Sequence, residues 1–388
     1  MHPDTAPFFA GSMICDPRYF VGYREQLDTI TVRAVSAQPT SINIVGEKRI
    51  GKSSMLYHFC QTYEQKIESR GRNSRNYLAV YLSLQQNKCC RKSGFYEVVA
   101  EALYKKLKKK LSLVDRNRPR NRQLIKKLQS KTWNAENFLQ IILNFKEVEI
   151  LPIICLDKIE TLFQYPEEFN NGFYDNLRSL MDRSALMLVI ASYQKLEVYS
   201  NQHKLTSSFF NLGQTEILEG FNEQETQGLV RLPQTNIPSI QSVLNAQEQQ
   251  LALSWGNRNP YLLQLASLCL WDAQQRNQDH DWAKRKFNER KVKISNTKRD
   301  LESIRKVSGQ KLQILIQSPA NLIYFARKIG DSVGAIIATG IGLTFILLCI
   351  LAINGSIPWV RIPKQLGQFL CSTLSSVLGE FCEDESIQ

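Results

Sequence analysis

The octapeptide from Gly46 to Ser53, which reads GEKRIGKS, constrains the fold of this chain more than any other stretch of its sequence. It fits the pattern G-x-x-x-x-G-K-[ST], with a short apolar run (40–45) before it and a helix-forming run after it. Strand, glycine-rich turn and helix in this order are typical of a loop that binds phosphate groups. Glycines let backbone N–H groups turn toward phosphate oxygens, and the start of the helix adds partial positive charge. The octapeptide therefore predicts an α/β fold with a phosphate-binding loop.

The loop and the start of its helix define a predicted site for ATP and Mg²⁺. Lys52 is expected to reach the β- and γ-phosphates, and the Ser53 hydroxyl is expected to bind Mg²⁺. A second Mg²⁺ anchor is expected at Asp157, because the apolar run LPIICL ends there as a buried strand would. The predicted nucleotide contacts in this region are Gly46, Glu47, Lys48, Arg49, Ile50, Gly51, Lys52, Ser53 and Ser54.

The residues that follow Asp157 bear on whether bound ATP is hydrolysed. Many such ATPases carry next a Glu that activates the attacking water, but this chain has Lys158, whose ammonium group accepts no proton. Glu160 shares a face with position 158 in an extended chain, so it is a candidate substitute base. Alternatively, Glu160 is an ordinary surface residue, and hydrolysis is slow or absent. Ser192, which follows the apolar run 186–191, is a candidate contact of the γ-phosphate or the attacking water.

Apolar runs alternate with helix-forming stretches up to about residue 220, which predicts a parallel sheet with helices on both faces. From residue 222 the pattern becomes helical. The predicted architecture is thus a P-loop αβα sandwich, a small all-α lid domain and a single transmembrane helix. The predicted segments are a loose leader (1–19), a nucleotide-binding domain (20–220), the lid (221–282), a basic juxtamembrane linker (283–331), the transmembrane helix (332–353) and a tail with the spacing of an amphipathic helix (354–388).

Positive charge is concentrated in two stretches of the chain, whose formal net charge is +13. Residues 105–131 hold twelve Lys or Arg and one acid, and residues 284–328 hold thirteen against three acids. The first stretch suits nucleic acid, whose binding would weaken steeply with salt, and it suits a lipid surface equally well. The second suits anionic lipid headgroups, although a solvated helix face would have the same composition.

Residues 332–353 are 22 uncharged, mostly apolar residues, enough for one helix to cross a bilayer. The basic linker before them places the N-terminal part in the cytoplasm and residues 354–388 on the opposite side of the membrane. Gly334, Ala338 and Gly342 form a ridge of small residues that favours pairing of two such helices. Nine cysteines without a C-x-x-C pair fit a reducing compartment better than a disulfide scaffold or a zinc finger.

These pieces resemble the AAA+/STAND group of P-loop ATPases, particularly its origin-recognition-like, archaeal-type branch. Residues 20–27, FVGYREQL, are similar to that branch's F-V-G-R-x-x-x-L motif, with Tyr23 in place of the Arg. In the family this segment lies near the adenine. LDKIE at 156–160 resembles L-D-E-F-E, and Ser192 stands at the sensor-1 position.

The helical part carries the rest of the resemblance. Residues 256–265, GNRNPYLLQL, are similar to the family's G-x-x-P-Y-x-L-Q segment, with one extra residue. This implies that Pro260 lies on the adenine side of the nucleotide and that Arg258 acts like a sensor-2 arginine. Arg178 and Arg183 stand where some relatives carry a finger that reaches a neighbouring subunit, although surface ion pairs are the alternative.

The predicted function is a membrane-anchored ATP-binding switch that changes conformation or oligomerises with nucleotide and hydrolyses ATP slowly. The resemblance implies a homo-oligomer, and signalling through an unidentified effector protein would be the output. The alternatives are a non-hydrolysing ATP-sensing scaffold and a nucleic-acid-binding ATPase that uses residues 105–131.

Overall fold

The computed structural model describes residues 6–130, 132–232 and 242–291 of the 388-residue chain. The predicted transmembrane helix at 332–353 and the tail at 354–388 lie outside the described residues, as does the basic linker beyond residue 291. Within the described ranges, no helix is both long and apolar enough to cross a bilayer.

Five parallel strands form the sheet in the described part of the chain. They are β1 (Ile42–Val45), β2 (Tyr77–Ser83), β3 (Leu151–Asp157), β4 (Met187–Ser192) and β5 (Thr215–Ile217), in the order β2-β3-β4-β1-β5. The first four match predicted apolar runs, because strands of a parallel sheet are covered on both faces and are apolar throughout. β5 is a three-residue edge strand that no apolar run predicts.

Helices cover both faces of this sheet. They are α1 (Arg24–Val35), α2 (Lys52–Glu68), α3 (Lys92–Lys110), α4 (Leu113–Asn117), α5 (Pro119–Leu128), α6 (Ala135–Glu147), α7 (Asn171–Asp182), α8 (Leu196–His203), α9 (Glu223–Val230), α10 (Ala246–Gly256), α11 (Pro260–Gln275) and α12 (280–291). Short 3₁₀ turns lie at Pro17–Tyr19, Ser74–Asn76, Asn87–Cys90, Ile159–Gln164 and Ser208–Phe210.

Alternate residues of β2, β3 and β4 enter two hydrophobic cores, one on each face of the sheet. On β2, Leu78, Val80 and Leu82 share a core with α3, α5, α6 and α7. Ala79 instead shares a core with α1 and α2. Successive side chains of a strand point to opposite faces, so one strand serves both cores. The parallel sheet between two layers of helices agrees with the predicted P-loop architecture.

The helices after residue 222 do not form a separate lid with a core of its own. Leu229, Leu263 and Phe287 join the same hydrophobic cluster as Leu27 of α1 and Phe59 of α2. The sheet and these helices therefore belong to one compact unit, which ends at Lys291. The predicted division between 20–220 and 221–282 is not a division between separate cores.

The segment predicted as a loose leader is packed from residue 6 onward. Phe8 is buried in the core that contains α1 and α2, and Tyr19 is buried in the first 3₁₀ turn. Burying an apolar side chain contributes about 1.5–3 kcal/mol toward holding such a segment in place. Phe8 and Tyr19 are thus packed against the fold, in a segment for which the sequence predicts a loose leader.

Candidate functional site

A cavity of about 680 Å³ opens at the carboxyl ends of the strands, where α2 begins. Its size suits a small organic ligand. The phosphate-binding loop, the ends of β2, β3 and β4, helix α11 and the amino-terminal segment all contribute to its wall. The residues predicted for the site that line the cavity are Lys48, Arg49, Gly51, Lys52, Ser53, Ser54, Asp157, Glu160 and Pro260.

The phosphate-binding loop turns through two residues with positive φ, Arg49 at 69° and Gly51 at 103°. A Cβ on Gly51 would stand 3.1 Å from the ring of Tyr23. The Tyr23 hydroxyl donates a hydrogen bond to the carbonyl oxygen of Ile50, and the Glu219 carbonyl lies 3.2 Å away. Tyr23, where the family carries Arg, thus supports the loop from below, and Gly51 leaves room for it.

Lys52 is 8% exposed, and its ammonium group is held by the loop itself. Nζ donates to the carbonyl oxygens of Gly46 at 2.5 Å and Glu47 at 2.8 Å, and it lies 4.6 Å from the centre of the Tyr193 ring. Burial lowers the pKa of Lys52 to about 8, although the carboxylates of Glu160 and Asp157 oppose this shift. Phosphate oxygens are charged acceptors and would compete well with the two carbonyl groups.

Two oxygen donors suited to Mg²⁺, on Ser53 and Asp157, line the cavity together with Tyr81. Asp157 is 1% exposed at the end of β3, and its Oδ2 accepts a hydrogen bond of 2.8 Å from Tyr81. Ser53, in the first turn of α2, lines the same cavity. Tyr81 pairs in register with Cys155, two residues before Asp157, so both side chains are on one face of the sheet.

This donor set fits Mg²⁺, which takes one or two protein oxygens and otherwise phosphate and water. No group of three or more His, Cys, Asp or Glu able to hold a metal occurs among the residues that the structure describes. Ser53 and Asp157 are the residues that would hold the ion.

Glu160 reaches the cavity by a different route from the predicted extended chain. Lys158 takes a left-handed conformation with φ of 63°, and residues 159–164 form a 3₁₀ turn. This turn buries Glu160 Oε2, which has no hydrogen-bond partner among the described residues. Burial raises the pKa of Glu160, and the Lys52 ammonium group opposes the shift. Lys158 Nζ donates to the side-chain oxygen of Gln85.

Ser192 does not line the cavity, although it ends β4 as predicted. Its hydroxyl donates to the Gln194 carbonyl at 2.7 Å and accepts from Asn43 Nδ2 at 2.9 Å. Both bonds hold the side chain on the opposite face of the strand from Ala191. Ala191 and Tyr193 line the cavity at this point, so a direct contact of Ser192 with a ligand has no support in this geometry.

Helix α11 supplies the far wall. Asn259 caps the helix, its side chain accepting from Leu262 N at 3.1 Å, and Pro260 is the first helical residue. The Arg49 guanidinium lies 4.7 Å from the centre of the Tyr261 ring, which links the loop to this helix. Arg258 donates from Nε to the Phe221 carbonyl at 2.6 Å and does not line the cavity.

An amino-terminal strap, residues 8–14, closes part of the cavity. The Phe9 N–H donates to Gln264 Oε1 on α11 at 2.8 Å, and the Ile14 N–H donates to Ser54 Oγ on α2 at 3.1 Å. Phe9, Gly11, Ser12, Met13 and Ile14 line the cavity. The strap, Tyr81, Tyr193 and Gln264 are all absent from the sequence prediction. The Phe8–Phe9 pair in a polar segment was the available signal for the strap.

The remaining candidate residues lie away from the cavity. Arg178 Nε is 2.9 Å from Asp182 Oδ1 on its own helix, which agrees with a surface ion pair. Arg183 follows the end of α7, and its carbonyl accepts from Lys146 Nζ at 3.0 Å. The described residues of the basic stretch 105–131 form the end of α3, all of α4 and α5, and the residues after α5.

The family profile described as AAA-like domain matches residues 8–280. No curated protein matches the chain. Among solved structures, a Walker-type ATPase of Pyrococcus abyssi is 14% identical at a TM-score of 0.50, with 79% of this chain and 81% of that chain covered. The ORC2 protein of Aeropyrum pernix with ADPNP and ADP is 12% identical at 0.50, covering 74% and 72%. The ORC1 protein of Aeropyrum pernix in complex with DNA is 14% identical at 0.46, covering 81% and 74%.

At these identities the likeness to solved structures shows the fold alone. The family match is broader evidence, because it spans more than half of the chain. It runs from the strap through α11 into α12 and includes every residue that lines the cavity. The chain therefore belongs to the AAA-like domain family.

Proposed function

We propose that this protein binds ATP with Mg²⁺ and acts as a nucleotide-dependent conformational or oligomerisation switch anchored in a membrane. One observation carries the proposal: a single cavity joins the phosphate-binding loop, the carboxylates of Asp157 and Glu160, and Pro260 of α11. The groups proposed to bind the phosphates, the metal ion and the adenine therefore line one cavity.

Different residues of the cavity bind different parts of the ligand. Lys52 binds the β- and γ-phosphates together with loop N–H groups, and Ser53 and Asp157 hold Mg²⁺. Mg²⁺ supplies positive charge that stabilises the negative charge of the phosphates. Pro260 and Tyr261 contact the adenine side. Glu160 is the one carboxylate in the wall besides Asp157, so it is the candidate for positioning and deprotonating the attacking water.

Slow hydrolysis follows from the residues next to Asp157. Lys158 stands where a Glu would activate water, and its side chain is bound to Gln85. Glu160 is buried without a partner for Oε2, so its charged form, which is the form that accepts a proton, is disfavoured. The alternative, a scaffold that senses ATP without hydrolysing it, draws on the same two observations.

The switch arises from the composition of the cavity wall. The loop belongs to the sheet, whereas Pro260, Tyr261 and Gln264 belong to α11, so a bound nucleotide draws both elements together. Such closure exposes or covers surface for self-association, and we propose a homo-oligomer with an effector protein as its output. Residues 332–353 form the membrane anchor, and the basic residues 284–328 contact anionic lipid on the cytoplasmic side.

The test measures ATP affinity and ATP turnover together on the purified full-length chain. Lys52→Ala should weaken ATP binding on the order of 100-fold, because a buried charge partner of the phosphates is lost. Lys204→Ala, an exposed lysine at the end of α8, is the matched control and should leave binding unchanged. Lys158→Glu should raise turnover about 100-fold by restoring a general base, and Lys204→Glu controls for the reversal of charge.

Each result assigns a different function. Slow wild-type turnover that rises in Lys158→Glu identifies a slow ATPase switch. Binding without wild-type turnover, with turnover gained in Lys158→Glu, identifies the non-hydrolysing scaffold. Analytical ultracentrifugation should show a larger assembly with ATP in the wild type and none in Lys52→Ala. ATP binding that does not depend on Lys52 would overturn the proposal.

A further inference from the structure

The basic stretch 105–131 is much less free than its composition suggests. Several of its cations are bound within the fold: Lys106 to the Cys60 carbonyl, Lys110 to Glu64 and the Ser74 carbonyl, Arg116 to the Lys108 carbonyl, Arg118 to Asp115, and Arg120 to the Glu147 carbonyl. Lys109, Arg122, Lys126 and Lys127 are exposed, and their charged groups form no hydrogen bond or ion pair with any described residue. The available charge is thus concentrated on α5 and the end of α3.

Two exposed aliphatic side chains lie on α4, just before α5 in the chain. Leu113 is 74% exposed and Val114 is 75% exposed, more than any other large hydrophobic residue in the described ranges. They lie in the first turn of α4, which Ser112 caps by accepting a hydrogen bond from Asp115 N at 3.1 Å. The cap and the Arg118–Asp115 ion pair of 3.1 Å stabilise this short helix. Leu113 and Val114 are therefore exposed on an ordered helix.

We propose that the α4–α5 surface, residues 112–128, docks on an anionic lipid membrane. Exposed aliphatic side chains beside lysines and arginines are the pattern of segments that lie at a membrane interface. The aliphatic groups enter the headgroup region, and the cations contact anionic headgroups.

The aliphatic pair separates lipid from nucleic acid as the partner. Binding to single-stranded nucleic acid uses aromatic rings on which bases stack. Trp133 is buried, and Tyr104 is partly buried with its hydroxyl bound to Gln129. Leu113 and Val114 form no hydrogen bond or ion pair with a base or a phosphate through their side chains, but they gain free energy on leaving water for lipid.

The surface is small, and two aliphatic side chains alone would hold a free protein on a membrane only weakly. A tether raises the effective concentration of such a site, and the predicted helix at 332–353 would be one. The docking surface shares no residue with the wall of the nucleotide cavity, so it stands whether or not ATP binds.

Hydrogen–deuterium exchange on the full-length chain in vesicles tests the proposal. Vesicles of equal parts phosphatidylserine and phosphatidylcholine are compared with phosphatidylcholine alone. Amides of residues 112–128 should exchange about tenfold more slowly with phosphatidylserine, which corresponds to about ten docked molecules for each free one. The readout follows α4 and α5 themselves, so insertion of another segment does not mimic it.

Two variants and their controls make the result specific. Leu113→Ser with Val114→Ser should remove the protection, because each aliphatic group contributes about tenfold or more to the equilibrium. Lys126→Gln with Lys127→Gln should also remove most of it. The matched controls are Val32→Ser with Val198→Ser, and Arg33→Gln with Lys204→Gln, which change exposed aliphatic and cationic residues on α1 and at α8.

Three results would overturn the proposal. Equal protection in both vesicle types would remove the role of anionic lipid, and full protection in the Leu113 and Val114 variant would remove the role of the aliphatic pair. Protection by short DNA duplexes without protection by vesicles would assign the surface to nucleic acid instead. Lys52→Ala should retain protection, so a failure of ATP binding is distinguishable from a failure of lipid docking.

Discussion

Lys52 sits among carbonyl groups in a largely buried position, and burial brings its pKa down to about 8. The charged form is the one that binds phosphate. Near neutral pH the ammonium group is therefore mostly charged, but the pH lies only about one unit below its pKa. A modest rise in pH is enough to neutralise it.

ATP affinity should therefore fall as pH rises. Between about pH 7 and pH 9 the dissociation constant should increase about tenfold, because roughly one Lys52 in ten remains protonated at the upper limit. Isothermal calorimetry across this range measures the change. Lys52→Arg should bind more weakly but show a flat profile, since guanidinium stays charged. A flat wild-type profile would contradict the assignment of Lys52.

Glu160 combines a cost to stability with its proposed role in activity. Its buried Oε2 has no partner in the described structure, and burial raises its pKa, so the charged form opposes folding. This opposition is absent below the unfolded pKa, grows as pH rises from the unfolded to the folded value, and is complete above the folded value.

Glu160→Gln should accordingly raise the melting temperature by a few degrees at neutral pH and lower ATP turnover at least about tenfold. Thermal unfolding and a phosphate-release assay on one preparation measure both. Glu167→Gln, at an exposed carboxylate beyond the 3₁₀ turn, should change neither. A Glu160→Gln variant that keeps full turnover would show that the base comes from elsewhere.

At the scale of elements, α3 meets the 3₁₀ turn Asn87–Cys90 so closely that no side chain fits between them. A Cβ on Gly94 would stand 1.9 Å from the Lys88 carbonyl oxygen. Gly172, in the first turn of α7, has its nearest neighbour at 3.5 Å, the side-chain oxygen of Asn170.

Gly94→Ala should lower the melting temperature of the full-length chain by at least about 6 °C, because backbone must move to relieve the overlap. Gly172→Ala should leave it unchanged or slightly raised, since alanine favours a helix. Differential scanning fluorimetry compares the two. Equal effects would mean that the contact between α3 and the turn is not tight.

The elements that the sequence predicts well are those with a continuous local pattern. β1 to β4 and α2 follow from apolar runs and from the glycine loop, and the cavity residues 48, 49, 51–54 and 157 follow with them. β5 has three residues, exposed at both ends, and carries no such pattern. The starts of α10 and α11 are set by asparagine caps, whose hydrogen bonds reach only three residues along the chain.

The site residues that sequence reasoning misses depend on partners distant in the chain. Tyr81 meets Asp157 because β2 and β3 pair in one particular register. Ser192 turns away because Asn43, on the neighbouring strand β1, donates a hydrogen bond to its hydroxyl on the other face. Neither the register nor the neighbour can be read from one strand. Glu160 reaches the cavity because Lys158 adopts a left-handed backbone conformation. Lysine does not favour this conformation, so the sequence gives no sign of it.

At the scale of the whole molecule, the described residues up to Lys291 have their own cores, and the predicted anchor lies beyond them. A chain ending at residue 291 should fold with a melting temperature within a few degrees of the full-length value and keep its ATP affinity. It should also leave the membrane fraction after a high-salt wash, which weakens contacts with anionic lipid. A truncated chain that stays membrane-bound after the wash would place the anchor before residue 292.

The amino-terminal strap bears on how long a nucleotide would stay bound in the cavity. Its two hydrogen bonds, one to Ser54 on α2 and one to Gln264 on α11, fasten the cavity wall across both elements. Where a bound molecule leaves past the strap, the strap must detach first, and the duration of the bound state would then depend on two backbone N–H groups at residues 9 and 14. Affinity and duration could then be tuned separately, the first at the loop and the second at residues 9 and 14.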